Sequence, residues 1–404
     1  MKLIAPFILL LLFSCQLFSQ NIPARLDSLF RVHYGDHAPG IAVAVVVKGK
    51  TIFKKGYGIS NWLSKEKITT TTNFNIGSLT KQFTAYCILK LEQEGHLSLT
   101  DKLIKYFPDF NPKTGNMISI EQLLTHSSGI IDHYAFTDKE IKHANDQDVL
   151  TAVKNIDSTY FTPGKRYRYS NTAYCLLALI VEKVSGTNYA DYVQKNIFAP
   201  LFMNRSTVLR VDSNIYQRAI GYDIDPQGRA ERPFVELDMD ETKFFSTEGD
   251  GGVYTSIDDY LKWCIAMQTG TVLSKPLIKK AQSFQVMLDP AKQLGYGYGW
   301  FINQQDSAKV VYHTGSNGGF RAITYLIPSQ KYAVVIFSNR TDGDLENMVK
   351  EINKILNIAN KSYTKIESLV SFIDSSPIFA PCKEIRSFLT LFTKNLNDNA
   401  TALN

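Results

Sequence analysis

Three short stretches of the chain carry side chains that could together open and re-form an acyl bond. The first is Ser78-Leu79-Thr80-Lys81. On a helix, residues three apart share a face, so the Lys81 amine can reach the Ser78 hydroxyl. A serine hydroxyl is a weak nucleophile until a neighbouring base takes its proton, and a buried, partly desolvated lysine beside another cation can act as that base. A helix N-terminus adds backbone N–H groups that can face a developing oxyanion. The same tetrapeptide pattern recurs at Ser64–Lys67 and Ser362–Lys365, so the pattern alone decides nothing. Context separates the three. Only Ser78 follows an Ile76-Gly77 turn and leads into an apolar face of Phe83, Cys87, Leu89 and Leu91.

The second stretch, Tyr169-Ser170-Asn171, follows a Pro163-Gly164 turn and precedes a helical pattern over 172–185. A tyrosine held near two cations can lose its proton below its reference pKa of about 10 and serve as general base. Asn171 can donate its amide to a substrate carbonyl and accept from Lys81. The third, His313-Thr314-Gly315-Ser316, ends an apolar strand that includes Val310, Val311 and Tyr312. An edge-strand glycine lets a substrate backbone come close, and the Ser316 N–H could pair with that of Ser78 as an oxyanion hole. Lys113-Thr114-Gly115 offers a similar triplet with no strand before it, and reads as a solvated turn.

The elements that must position these groups form two sets. Residues 22–34 carry Ile22, Leu26, Leu29 and Phe30 on one helical face. Ile41–Val47 and Thr51–Lys55 flank a Gly49-Lys50 turn and predict a strand pair. Helices are expected at 79–94, 120–126, 172–185, 188–201 and 257–268, the last behind a Ser256 cap. Three strands follow at Lys309–Thr314, Phe320–Ile327 and Tyr332–Ser338, then a helix at 344–357. Strands at both ends with helices between them predict an α+β fold, in which an antiparallel sheet is completed by distant segments of the chain.

The chain has 404 residues, 44% of them hydrophobic, with 44 Lys+Arg against 38 Asp+Glu for a net charge of +6. That composition excludes a disordered or collagen-like chain. The positive charge forms no stripe, which argues against a nucleic-acid partner. Lys2 followed by the apolar run Leu3–Phe13 is too short to span a bilayer and fits a signal peptide over residues 1–20, cleaved near Ser19. Leu12-Phe13-Ser14-Cys15 is a loose lipobox that would place a lipid on Cys15. Either route makes the protein exported, periplasmic or secreted. Cys87, Cys175, Cys264 and Cys382 are widely spaced, three of them in apolar helical patterns, and are expected to be buried free thiols. The seven His are scattered and no metal-ligand spacing is present, so neither metal nor cofactor is expected. Residues 358–404 read as an appended tail, in which Ile385, Phe388, Leu389 and Phe392 give one amphipathic helix.

Ser-x-x-Lys, Tyr-x-Asn and His-Thr-Gly, in that order and context, resemble the penicillin-binding protein and serine β-lactamase superfamily. The Tyr-x-Asn variant is similar to the branch holding class C β-lactamases, D-Ala-D-Ala carboxypeptidases, D-amino-acid peptidases and related esterases. Leu123–Gly129, Gly251–Thr255 and Gly295–Trp300 are similar too, and the resemblance spans about residues 25–345. It implies a β-lactamase/transpeptidase-like fold with Ser78, Lys81 and Tyr169 as catalytic residues. Asn171, His313, Thr314, Gly315 and Ser316 would bind a small-molecule or peptidoglycan-peptide substrate. The expected activity is a serine hydrolase acting through an acyl-enzyme on an amide or ester. A true β-lactamase and a non-catalytic sensor or scaffold are the alternatives. Position 313 departs from the class C pattern, where Lys is usual. Histidine would hold a substrate carboxylate only when protonated or as a neutral donor, so turnover of anionic substrates is expected to weaken as pH rises through its pKa.

Overall fold

In Ile41–Val47 six of seven residues are buried, without the alternation of a half-exposed strand. Such a run needs cover on both faces of its sheet. The computed structural model, which describes residues 22–135, 143–210, 215–225, 230–233, 246–304 and 308–358, supplies that cover. The main sheet has eight antiparallel strands. In chain order they are β1 (Ile41–Val47), β2 (Lys50–Tyr57), β3 (Val286–Asp289), β4 (Leu294–Tyr296), β5 (Phe301–Asn303), β6 (Val310–Asn317), β7 (Phe320–Ile327) and β8 (Tyr332–Ser338). Their spatial order is β2-β1-β8-β7-β6-β5-β4-β3. The N-terminal hairpin therefore pairs with the last strand, Ile41 opposite Ser338 and Val46 opposite Ala333. This is the α+β architecture expected from the clustering of strands at the two ends.

One face of the sheet carries a helix over residues 22–33 (α1) and the helix Leu345–Ile355. Phe30 of α1 packs on Phe53 and Tyr57, with ring centroids 6.1 and 5.6 Å away. The opposite face, with Ala42, Ala44, Val335 and Phe337, joins the main core under the helical middle of the chain. There α2 (Lys81–Gln93) is buried from Lys81 through Leu89, so it is a core helix with no water-facing side over its first turns. Helix α3 (Asn171–Ser185) starts at a Ser170 cap, whose Oγ accepts the Ala173 N–H at 3.1 Å, and ends at Gly186 with φ +70°.

Two glycines set the approach between sheet and helix. A Cβ at Gly315 in β6 would lie 2.0 Å from the Ile76 carbonyl oxygen. Gly77, at φ +51°, would put a Cβ 2.8 Å from the Ser316 nitrogen. The 3₁₀ turn Gly77–Thr80 thus lies directly against β6, and neither position tolerates a side chain without separating them.

Several sequence expectations need correction. β6 continues through Asn317 instead of ending at Thr314, and β3, β4 and β5 were not anticipated. The helix near 188–201 is an α-helix, Tyr189–Val193, followed by a π-helical turn, Gln194–Phe198. Lys113-Thr114-Gly115 is not a solvated turn but part of a short helix, Pro112–Gly115, with Thr114 and Gly115 buried. Cys87, Cys175 and Cys264 are buried free thiols. No helix among the described residues is long and apolar enough to cross a membrane. The leader with Cys15, and the tail with its amphipathic pattern at 385–392, lie outside the described residues.

Gly315→Ala should lower stability by about 1–3 kcal/mol, because the added methyl must push apart two backbones. Gly35→Ala, where nothing lies within 4 Å of the new Cβ, is the control. Urea unfolding midpoints measure both, and equal midpoints would contradict the close approach of β6 to the 3₁₀ turn.

Candidate active site

Ser78 sits second in the 3₁₀ turn, half-buried, and Lys81 opens α2 directly behind it. The turn is pinned from its flanks. Asn75 Oδ1 accepts the Gly77 N–H at 2.7 Å, and Thr80 Oγ1 accepts the Val253 N–H at 3.1 Å. Asn75 and Val253 belong to a small sheet in which Phe74–Asn75 and Thr207–Val208 both pair with Val253–Thr255.

The Lys81 side chain is fully buried and its amine meets three oxygens. Nζ lies 3.1 Å from Ser78 Oγ, 2.8 Å from Asn171 Oδ1 and 2.9 Å from the Asp250 carbonyl oxygen. An ammonium has three N–H donors, so every one is used. In the neutral form two N–H groups can stay on Asn171 and Asp250 while the lone pair turns to the Ser78 hydroxyl. The same geometry therefore serves a proton donor and a proton acceptor. The Lys81 amine also lies 4.9 Å from the centre of the Tyr169 ring and 5.5 Å from that of Tyr174.

Tyr169 and Asn171 bracket the start of α3. Asn171 Nδ2 donates to Tyr134 Oη at 2.9 Å, leaving its Oδ1 for Lys81. The Tyr169 hydroxyl is buried and has no hydrogen-bond partner among the described residues. Buried hydroxyls rarely go unpaired, so this phenol is available to hydrogen-bond a bound group or water. Its ring lies against His126, centroids 4.2 Å apart.

The segment 313–317 of β6 pairs with β7 along its whole length. On its other side β5 reaches only residues 310–312, so among the described residues no strand pairs with His313 to Asn317 there, and an extended ligand could add along that edge. Thr314 is half-buried and Ser316 exposed along that edge. A Cβ on Gly77 would lie 2.8 Å from the Ser316 nitrogen, so the turn that carries Ser78 runs close beside Ser316.

His313 departs from expectation. It is completely buried, its Nδ1 lies 2.6 Å from the Thr314 carbonyl oxygen, and its Nε2 lies 3.2 Å from Tyr296 Oη. Only a neutral ring with the proton on Nδ1 can donate to the first and accept from the tyrosine hydroxyl. Burial pushes its pKa down to about 3, with Lys81 adding to the shift and the Thr314 carbonyl opposing it. Of the two expected roles toward a substrate carboxylate, protonated cation or neutral donor, burial of His313 disfavours the first.

Three residues outside the sequence-derived set contribute. Asp250 offers only its backbone carbonyl, a group that every residue possesses, so no sequence signal marks it. Tyr134 orients Asn171. Tyr296 holds His313 Nε2 through its hydroxyl, and the Gly295–Trp300 stretch was its only trace. Behind Lys81, donor atoms of Asp146, Cys175 and Asp250 lie within 4.8 Å of one another, all buried. Burial, reinforced by Asp250, pushes both Asp146 and Cys175 far above their ordinary pKa values. Asp146 also accepts the Glu248 and Gly249 N–H groups, at 3.2 and 3.1 Å.

A family profile described as Beta-lactamase matches residues 23–356. Protein flp of Staphylococcus aureus (strain N315) is 29% identical over 339 residues, which cover 83% of this chain and 66% of that protein. The chain thus spans just under two thirds of that relative's length. Penicillin-binding protein 4* of Bacillus subtilis is 30% identical over 336 residues, 80% of this chain and 73% of the relative. Among solved structures, the octameric penicillin-binding protein homologue from Pyrococcus abyssi is similar, with TM-score 0.69, 29% identity, and coverage of 85% of this chain and 77% of that one. The D-amino acid amidase from Ochrobactrum anthropi shares the fold at TM-score 0.70, with 21% identity, 84% of this chain and 100% of that one covered.

A neutral His313 has a consequence for pH. Its folded pKa is depressed, so it stays uncharged throughout pH 5–9 and contributes no titration there. Activity profiles for an anionic and a neutral substrate should run parallel over that range. A selective fall for the anionic substrate through pH 6–7 would show that the imidazole is charged.

Proposed function

The chain belongs to the β-lactamase family, and from that premise we propose that it is a serine hydrolase that cleaves an amide or ester through an acyl-enzyme on Ser78. The observation that carries this reading is the Lys81 amine, held between Ser78 Oγ and Asn171 Oδ1 at 3.1 and 2.8 Å. In the proposed reaction Ser78 attacks the substrate carbonyl while Lys81 and Tyr169 share the removal of its proton. The oxyanion forms against the Ser78 and Ser316 amides. Tyr169 passes a proton to the leaving group, and water then attacks the acyl-enzyme and regenerates the Ser78 hydroxyl. Asn171 orients both Lys81 and the substrate carbonyl group, while Thr314, Gly315 and Ser316 offer the open strand edge.

The substrate class we favour is a small peptide or amino-acid derivative, as in a D-Ala-D-Ala carboxypeptidase or D-peptidase, or a simple ester. The Bacillus subtilis relative, named as a penicillin-binding protein, supports a peptidoglycan-type peptide. The uncharged His313 supports recognition by backbone pairing over recognition by a fixed cation, which lowers the case for a true β-lactamase. We place the protein outside the cytoplasm on the strength of the apolar leader Leu3–Phe13, with a lipid on Cys15 as the variant in which it stays at the membrane.

The test sets D-Ala-D-Ala peptides, D-amino-acid amides, short-chain p-nitrophenyl esters and a cephalosporin side by side, with a fluorescent penicillin as covalent probe. Ser78→Ala should abolish turnover and labelling with the fold intact by circular dichroism. Lys81→Met should slow acylation by about 10²–10⁴-fold, the usual worth of a general base. Turnover unchanged in Ser78→Ala would refute the assignment, and a wild-type protein that neither labels nor turns over any of these substrates would favour the sensor or scaffold.

A further inference from the structure

We propose that His126 is the positioning residue for Tyr169, an inference that rests on the role given to Tyr169 above. His126 holds the chain on both sides of that tyrosine. Its carbonyl oxygen accepts the Arg168 N–H at 2.8 Å, and its ring Nδ1 accepts the Ser170 N–H at 3.1 Å. Tyr169 is the residue between these two anchors. Its ring then rests on the imidazole, with planes 33° apart. Tyr296 and Tyr174 enclose the imidazole, with centroids 4.8 and 5.0 Å away. One residue thereby fixes the backbone before Tyr169, the backbone after it and the face of its ring.

The imidazole is itself held in place. His126 follows the short helix Ile120–Leu124, which begins in a capping box between Ser119 and Gln122. Its φ of +56° is the left-handed conformation that often terminates helices and that costs non-glycine residues energy. Strain of this kind persists where surrounding contacts over-determine the backbone.

Simple packing does not account for the residue type. Because Nδ1 accepts the Ser170 N–H, the ring proton resides on Nε2, which is buried without a partner among the described residues. An unpaired buried donor is costly. A phenyl ring would fill the volume without that penalty, and what it lacks is the in-plane acceptor for the Ser170 N–H. Burial holds the His126 pKa well below its usual value, with Lys81 adding to the shift, so the acceptor is not lost to protonation near neutral pH.

A double-mutant cycle distinguishes positioning from general structural support. The readout is the second-order rate of Ser78 labelling by a fluorescent fluorophosphonate, which needs an activated serine but no known substrate. His126→Ala should slow labelling about 10–100-fold in the wild-type background, part of the worth of a general base. In a Tyr169→Phe background the same change should cost less than about 2-fold, since its route of action is gone. His126→Asn keeps an acceptor oxygen and a residue type that tolerates left-handed backbone, and should recover part of the loss. If His126→Ala does not fold, His126→Asn carries the cycle. Equal losses in both backgrounds would overturn the inference while leaving the role of Tyr169 intact. Tyr169→Phe labelling at the wild-type rate would instead refute the role of Tyr169, and the inference with it.

Discussion

A primary amine buried out of reach of water is tolerated only if its donors are all met. In this chain the Lys81 amine meets that condition by drawing on Ser78, Asn171 and Asp250, residues 3, 90 and 169 positions away. The rest of the architecture serves that meeting. α2 must be a core helix for Lys81 to be buried, α3 must begin at Ser170 for Asn171 to face it, and the Glu248–Gly252 turn must present a carbonyl. Asp146 holds that turn through the Glu248 and Gly249 N–H groups, and Thr84 Oγ1 donates to the Gly249 carbonyl at 2.6 Å. Displacing any one of these segments leaves either an unpaired donor on the amine or an unpaired acceptor around it, which ties the catalytic arrangement to the stability of the fold.

The second constraint is steric. β6 and the 3₁₀ turn come together only because Gly315 and Gly77 carry no side chain. The turn that carries Ser78 thereby lies close to Ser316, and among the described residues no strand pairs with 313–317 on the β5 side. In the proposed reading, recognition at this edge is largely a matter of main-chain pairing. With His313 neutral and committed to Thr314 and Tyr296, the strand supplies shape and dipoles in place of a fixed positive charge.

Much of this was legible in the sequence because it depends on local pattern. The apolar runs Ile41–Val47 and Tyr332–Ser338 announce doubly covered strands, and the Ser170 and Ser256 caps fix the starts of their helices. Ser78-x-x-Lys81 could be told from its two look-alikes by the glycine before it and the apolar face after it. What stayed hidden depends on tertiary contact. Strands β3, β4 and β5 are three or four residues long, and β4 is Leu294-Gly295-Tyr296, too short and too glycine-rich for period-two alternation to register. The Asp250 carbonyl is invisible because any residue could provide it. The neutrality of His313 comes from its complete burial, a tertiary property that local pattern does not show. His126 lies within the Leu123–Gly129 stretch that the sequence singled out, but what it holds required the fold.

The central claim is that one hydroxyl, at Ser78, becomes acylated because the Lys81 amine activates it. Mapping the acyl group tests this most directly. The protein is exposed briefly to a penicillin, quenched in acid, digested and sequenced by tandem mass spectrometry. The account predicts a single adduct on Ser78, lost in Lys81→Met. An adduct on another residue, or one on Ser78 that forms as fast without the amine, would contradict it.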